Sequence, residues 1–331
     1  MAKQDEILKI FPDYMKERWE KPLQRADKLE EIRMGIGRPV RLLSAGEEYF
    51  LSCRGSISKG MQDAWYMTER ELDEIMRNVC HYSMYAFENE IRQGFLTIPG
   101  GHRIGVAGQV VLNENGSIRN MAHIRFLNIR ISRQVIGAAD EIIERLYEKG
   151  RFLNTLLVSP PGCGKTTLLR DIIRQVSGGN LSGHGRQVGV VDERSEIAGC
   201  FMGIPQNDIG IRTDVLDGCP KIQGMMLLMR SMAPSVVAVD EIGGCEDMKA
   251  VYQVLQCGSS VLATMHGNSM DDVRRHINAG TGSGQVPIRP EDYFERYVFL
   301  EKKRGSCRIR EVLDQNENRV KKVGEELLCC S

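Results

Sequence analysis

The stretch from Ser159 to Thr167 reads Ser-Pro-Pro-Gly-Cys-Gly-Lys-Thr-Thr, and it decides the fold. It matches the Walker A pattern of a phosphate-binding loop, except that Ser159 stands where the pattern has its first glycine. The apolar segment 155–158 before it predicts a strand, and apolar residues at helical spacing after it predict a helix. A glycine-rich loop between a strand and the N-terminus of a helix indicates a site for nucleotide phosphates.

The residue types in this loop suggest a chemical role for several positions. Lys165 is expected to reach the β- and γ-phosphates, and the hydroxyl of Thr166 to ligate Mg²⁺. The alternative is an ordinary glycine-rich turn, which the flanking strand and helix disfavour. The predicted residues of the ATP site are Pro161, Gly162, Cys163, Gly164, Lys165, Thr166, Thr167 and Asp240.

A second motif delivers two carboxylates at the end of another predicted strand. The apolar run 236–239 is followed by Asp240 and Glu241. In an open parallel sheet, ligands bind beyond the carboxyl ends of the strands. Asp240 is therefore predicted to hold Mg²⁺ through water, opposite Thr166, and Glu241 to orient the attacking water.

Two more candidates follow neighbouring predicted strands. Glu193 lies in an acidic segment directly after the apolar run 188–191, so Glu193 and Glu241 compete for the role of catalytic base. The sequence leaves both open. His266 follows the apolar run 261–263, near the end of another predicted strand, where it is predicted to hydrogen-bond the γ-phosphate or the water. A purely structural histidine is the alternative.

The short apolar strands alternate with helices, which indicates an α/β fold with a mostly parallel sheet covered on both faces. This P-loop core is predicted to occupy residues 138–331 and to end in a C-terminal hairpin. Residues 1–137 mix helix patterns with strand and turn patterns, so they predict a smaller α+β N-terminal domain.

Composition excludes some classes of protein and favours others. Among 331 residues, 44 basic side chains balance 44 acidic ones, so no global field favours nucleic acid or an anionic membrane. The first residues lack the apolar core of a secretory signal, and no apolar run approaches the ~18 residues of a membrane span. We therefore expect a cytoplasmic protein that does not insert directly into a membrane.

The four motifs, in this order, resemble those of the type II and type IV secretion ATPases, which have a RecA-like core. Residues 192–196 resemble the acidic box of that family, with Arg194 where proline is usual, and residues 263–268 resemble its histidine box. Asp240 stands where that family often has a glycine, directly before the glutamate that corresponds to Glu241. The longer strings 126–131, 191–197 and 212–221 resemble a stage III sporulation family of endospore-forming bacteria.

This resemblance implies a Mg-dependent ATPase motor that assembles as a hexameric ring. It also implies a mother-cell location, peripheral to the membrane, where integral-membrane partners form a secretion-like channel around the forespore. In secretion ATPases the N-terminal domain packs over a neighbouring nucleotide site and can supply arginines to it. The candidates here are Arg130 and Arg133, just before the linker, together with Arg212 and Arg230 on the core. For each of them, an ordinary surface arginine is the alternative.

Two other functions remain open from the sequence. A nucleic-acid-handling RecA-like motor would be stimulated by DNA or RNA, although no basic and aromatic binding strip supports it. A structural ring platform would bind ATP with little turnover, although Lys165, Asp240, Glu241 and Glu193 together argue for hydrolysis.

Overall fold

The structure is a computed structural model that describes residues 3–24, 29–280, 286–303 and 306–321. The chain divides into two compact units. The first contains Met1–Arg133 and Gly199–Gln206, and the second contains Gln134–Ala198 and Asn207–Ser331. The domain boundary after residue 137 stays a prediction.

The first unit is built from four helices and one antiparallel sheet. Its helices are α1 (Lys3–Lys9), α2 (Asp13–Gln24), α3 (Glu69–Val79) and α4 (Glu88–Gln93). Its strands are β1 (Leu29–Gly35), β2 (Arg41–Ser44), β3 (Glu47–Leu51), β4 (Ile57–Ser58), β5 (Phe95–Ile98), β6 (His102–Leu112) and β7 (Ile118–Arg130). They are ordered β4-β3-β2-β1-β7-β6-β5.

One face of this sheet is covered by helices. Ile32 and Met34 of β1 are buried in the same core as Trp19 of α2 and Ile75 of α3. The string Thr-Glu-Arg-Glu at residues 68–71 predicts a helix start with a capping box. Thr68 does begin α3 in this way, and its hydroxyl and the Glu71 carboxylate satisfy backbone amides reciprocally. The unit therefore has its own core and is α+β.

The second unit is an α/β core. Its strands are β8 (Tyr147–Glu148), β9 (Arg151–Phe152), β10 (Thr155–Ser159), β11 (Gly179–Asn180), β12 (Gly183–His184), β13 (Val188–Asp192), β14 (Thr213–Asp217), β15 (Val236–Val239), β16 (Ser260–His266), β17 (Arg296–Lys303) and β18 (Ser306–Asp314). Its helices are α5 (Lys165–Gly178), α6 (Lys221–Ser231), α7 (Gly244–Gln256) and α8 (Met270–Ile277).

The main sheet of this unit has the order β14-β13-β15-β16-β10-β17-β18. Every neighbouring pair is parallel except β17 and β18, which pair antiparallel as the predicted C-terminal hairpin. Strands β10, β13 and β15 are buried along their whole length, which explains their continuous apolar runs. The predicted fold class is confirmed.

Some local predictions are wrong. The sequence of residues 140–147 predicts a helix, but the structure has only a 3₁₀ turn there, at Ile143–Leu146. The amphipathic pattern of the first 20 residues predicts one helix that ends near Pro22, but it is divided into α1 and α2, and Pro22 lies inside α2. Within the described part of the chain, no helix combines the length and apolar character needed to cross a bilayer.

Candidate functional site

The phosphate-loop residues form a tight turn between β10 and α5. Gly162 and Gly164 have φ angles of 70° and 77°, in the left-handed region that a residue with a side chain adopts only at a cost. Helix α5 begins at Lys165, directly after Gly164. Backbone amides at a helix N-terminus attract anions, so the local fold suits phosphate groups.

The Lys165 ammonium contacts polar atoms of the protein itself. Its ammonium donates to the carbonyl oxygens of Ser159 at 3.0 Å and Pro160 at 3.4 Å, and it lies 2.9 Å from Nδ1 of His266. Burial lowers the pKa of Lys165, and the nearby charges of Asp240 and Glu241 oppose that effect. The cation is thus held by polar atoms at the mouth of the loop.

The contacts of His266 fix which ring nitrogen carries the proton in the neutral imidazole. An ammonium only donates hydrogen bonds, so Nδ1 of His266 accepts from Lys165. Nε2 then carries the proton and donates to Oε1 of Glu241. Lys165, His266 and Glu241 therefore form one hydrogen-bonded chain.

Asp240 is held on two sides by hydroxyl groups. The Thr166 hydroxyl donates to Oδ2 of Asp240 at 3.1 Å, and the Thr264 hydroxyl donates to Oδ1. Thr264 also accepts the backbone N–H of Glu241 at 2.9 Å. A buried threonine from β16 therefore fixes the two acidic residues that follow β15.

Glu241 has an unusual backbone conformation. Its φ angle is 55°, which is unfavourable for a residue with a side chain. The amide is held by Thr264, and the carbonyl oxygen accepts from the ammonium of Lys221 at 2.5 Å. Burial raises the pKa of the Glu241 carboxyl, but the hydrogen bond from His266 and nearby cations outweigh it, and the pKa is lowered.

Lys221 also links the two competing glutamates. Its ammonium lies 3.9 Å from Oε2 of Glu193 and 3.5 Å from Oδ2 of Asp247. Glu193 is exposed at the end of β13, whereas Glu241 joins the hydrogen-bonded chain to Lys165. The geometry therefore brings Glu241 closer to the predicted chemistry and leaves Glu193 at its edge.

Asp192, the first residue of the acidic segment, accepts hydrogen bonds from the backbone that follows it. Its two carboxylate oxygens accept three backbone amides, those of Glu196 at 2.8 Å, Ile197 at 3.0 Å and Ala198 at 2.8 Å. Burial raises the pKa of Asp192 to about 6, although these amides oppose the shift. Asp192 thus shapes the turn that carries Glu193.

The candidate arginines are scattered. Arg212 donates to the carbonyl of Ser177, near the C-terminal end of α5, whereas the phosphate loop lies at the N-terminal end of that helix. Arg230 is exposed on α6. Arg130 pairs with Glu31 at 3.4 Å in the first unit. Arg133 belongs to the same unit, where it donates to the carbonyl of residue 29.

Thr264 and Lys221 are site residues that the sequence did not predict. Arg194 lies 3.3 Å from Glu241 and pairs with it. One signal could have found Thr264: it stands two residues before His266, and residues i and i+2 of a strand share a face. No sequence pattern points to Lys221, because it comes from a helix that begins 20 residues before Glu241.

The residues around the loop fit a nucleotide and its metal ion. Mg²⁺ prefers oxygen ligands, and the Thr166 hydroxyl and Asp240 carboxylate lie 3.1 Å apart beside the loop. The left-handed glycines and the helix N-terminus provide a cradle for phosphate oxygens.

Comparison with known proteins agrees with this fold. The chain is 40% identical over 315 residues to stage III sporulation protein AA of Bacillus subtilis, covering 95% of this chain and 96% of that protein. The structure is also similar to the Legionella pneumophila ATPase DotB, with TM-score 0.54 and 15% identity over 94% of this chain and 79% of that one.

A second similar structure is the pilus retraction motor PilT with bound ADP. It has TM-score 0.57 and 16% identity, and the match covers 86% of this chain and 78% of that one. These two likenesses show the fold of the core and its preceding domain. The family model described as "Sporulation stage III, protein AA" matches residues 1–320, and the chain therefore belongs to that family.

Proposed function

We propose that this protein is a Mg-dependent ATPase motor that hydrolyses ATP to ADP and phosphate. One observation carries the proposal. Lys165, the Thr166–Asp240 pair and the His266–Glu241 pair all lie at the carboxyl ends of the adjacent parallel strands β10, β16 and β15. That edge of a parallel sheet is where ligands bind, and these are the groups that phosphoryl transfer requires.

The mechanism follows from what each side chain can do. The Lys165 ammonium exchanges its carbonyl and imidazole partners for phosphate oxygens, whose charge it offsets as the bond to the γ-phosphate breaks. Thr166 and Asp240 would hold the metal ion, which would neutralise further phosphate charge when bound. The lowered pKa of Glu241 keeps its carboxylate ionised. In this form it can orient the attacking water and take its proton as the bond to the γ-phosphorus forms.

His266 connects binding to hydrolysis in this scheme. Its imidazole contacts Lys165 on one side and Glu241 on the other, so departure of Lys165 toward the nucleotide changes the hydrogen bonding of the general base. Glu193 remains the alternative base, and it shares Lys221 with the backbone of Glu241.

The cellular role that we propose is in sporulation. The match to the sporulation family along nearly the whole chain supports it. The protein would act in the mother cell as a hexameric ring, at the membrane but not inserted in it. Integral-membrane partners would form the channel to the forespore that it powers. Arg130, Arg133, Arg212 and Arg230 are proposed to serve a neighbouring nucleotide site in that ring.

The test is steady-state ATP hydrolysis with Mg²⁺ over a range of protein concentrations. We expect activity per molecule to rise with concentration, since the site is proposed to be completed in an oligomer. Lys165→Ala and Glu241→Gln should each lower kcat by about 100-fold or more, and Glu193→Gln by much less. Glu246→Gln is the matched control, because Glu246 is exposed on α7.

Other outcomes would select other functions. Nucleotide binding without Mg-dependent turnover at any concentration would support an ATP-binding ring platform. Stimulation by single-stranded or double-stranded DNA or RNA would support a nucleic-acid motor. Full activity of Lys165→Ala would contradict the proposed site altogether.

A further inference from the structure

The outer face of the N-terminal sheet carries a row of residues that crosses four strands. Arg41 of β2 pairs with Arg33 of β1, Arg33 pairs with Asn128 of β7, and Asn128 pairs with Gly105 of β6. Directly paired residues point to the same face of an antiparallel sheet. Arg33 is exposed between the buried Ile32 and Met34, so this face lies opposite the core.

The row forms the floor of a recess of about 290 Å³. Phe126 lies flat over Gly35, where a Cβ atom would come within 2.8 Å of its ring. The guanidinium of Arg38 stacks on the same ring, 4.8 Å from its centre. The recess therefore has an aromatic and glycine-lined end and an arginine-rich end.

The charges around the recess are unbalanced. Arg33 pairs with Glu31 at 2.8 Å, and Arg41 pairs with Glu48 at 3.1 Å. Glu31 is shared, because Arg130 also lies 3.4 Å from it. In the ranges that the structure describes, no ion pair includes Arg38. The two glutamates therefore offset only part of the positive charge of the four arginines. An incoming anion would offset more of it and reduce the repulsion between the directly opposite Arg33 and Arg41.

A further polar atom of the recess lacks a partner. Oδ1 of Asn128 is buried, and nothing in the described residues hydrogen-bonds to it. A buried polar atom without a partner costs free energy, so a ligand group that hydrogen-bonds to the Asn128 amide would offset that cost. The amide of Asn128 can present either its oxygen or its NH₂ group by a half turn, and a peptide backbone can satisfy either.

We propose that this recess binds an acidic peptide segment of a partner protein, with a carboxylate against Arg33, Arg38 and Arg41 and an apolar side chain on Phe126. The row spans three strand spacings, roughly 14 Å, which is the length of about four extended residues. Its volume lies at the lower limit of pockets for small molecules, roughly 300 Å³, which favours a shallow peptide contact.

The experiment is a binding titration with the full chain and fluorescent peptide probes. The first probe is Gly-Glu-Leu-Glu-Leu-Gly, and the second replaces both glutamates by glutamine. We expect the acidic probe to bind about tenfold more tightly than the neutral one, and its affinity to fall with added salt. Arg38→Gln and Arg33→Gln should each weaken acidic-probe binding by about tenfold.

Arg119→Gln is the matched control, because Arg119 is exposed on β7 and does not line the recess. The affinity of Arg119→Gln for the acidic probe should match that of the unchanged protein. The melting temperatures of all three variants should also match that of the unchanged protein. The proposal is overturned if neither probe binds at millimolar concentration, if both bind equally, or if Arg38→Gln behaves as Arg119→Gln does. Displacement of the acidic probe by equimolar inorganic phosphate would also overturn it, in favour of a site for small anions.

Discussion

The ammonium of Lys165 lies 2.9 Å from Nδ1 of His266, so the lysine expected to bind phosphate has a histidine as its partner. The opposite nitrogen of that ring contacts Glu241. The ammonium of Lys165 and the carboxylate of Glu241 have opposite charges, and the imidazole of His266 joins them.

The first prediction concerns His266. We expect His266→Ala to lower kcat for ATP hydrolysis by roughly 10- to 100-fold, because Glu241 loses the donor that positions it. Nucleotide affinity, measured by fluorescence titration, should change by less than about threefold, because Lys165 and the phosphate loop are unchanged. His276→Ala is the control, because His276 is exposed on α8. An unchanged kcat would show that the Lys165–His266–Glu241 chain has no part in turnover.

The second prediction concerns Thr264. Replacing it by valine keeps the shape but removes the hydroxyl that joins Asp240 to the amide of Glu241. We expect Thr264→Val to lower the free energy of unfolding by about 1–3 kcal/mol and to weaken Mg-dependent nucleotide binding about tenfold. Thr264→Ser, which keeps the hydroxyl, should retain most of both. Chemical denaturation and Mg²⁺ titrations measure the two effects, and equal behaviour of valine and serine would contradict this role.

The third prediction concerns Lys221. Its ammonium is the partner of the Glu241 carbonyl and lies close to Asp247, which is largely buried. Lys221→Met should therefore destabilise the protein by about 1–3 kcal/mol in urea denaturation and lower kcat. Lys249→Met provides the comparison, because the Lys249–Glu246 pair is solvent-exposed and such pairs contribute little to stability. If the two lysine variants lose equal stability, the special position of Lys221 is disproved.

The fourth prediction is a pH dependence that arises from Asp192. Burial raises the pKa of Asp192 from 3.8 to about 6. Between these two pH values the folded protein retains a proton that the unfolded chain has released. The contribution of this group to stability is therefore greatest at low pH and falls as pH rises from about 4 through about 6. The loss amounts to about 3 kcal/mol.

The comparison with Asp192→Ala isolates that contribution. The difference in free energy of unfolding between the unchanged protein and the variant is measured at about pH 4.5 and about pH 7. We expect the unchanged protein to lose its relative advantage on going to the higher pH. A difference that is constant, or that grows with pH, would contradict the raised pKa of Asp192.

Much of the fold was accessible from local patterns. The strand before the phosphate loop, the helix after it and the buried strands at residues 188–191 and 236–239 occur where the apolar runs predict them. The capping box at Thr68 is also present. These features depend on short-range chemistry, because side-chain periodicity and caps act within a few residues. The failed helix at Asp140–Tyr147 shows the limit, since only tertiary packing decides such short segments.

The kind of site is evident from the chain alone: a phosphate loop, two acidic residues after a buried strand and a histidine after another. The chain alone does not choose between Glu193 and Glu241, because both follow strands that end at the same edge of the sheet. The folded protein is needed to show that His266 joins Lys165 to Glu241, and that Thr264 and Lys221 hold the Glu241 backbone in a left-handed conformation. These contacts join residues 20 to 101 positions apart, which meet only when the parallel strands align.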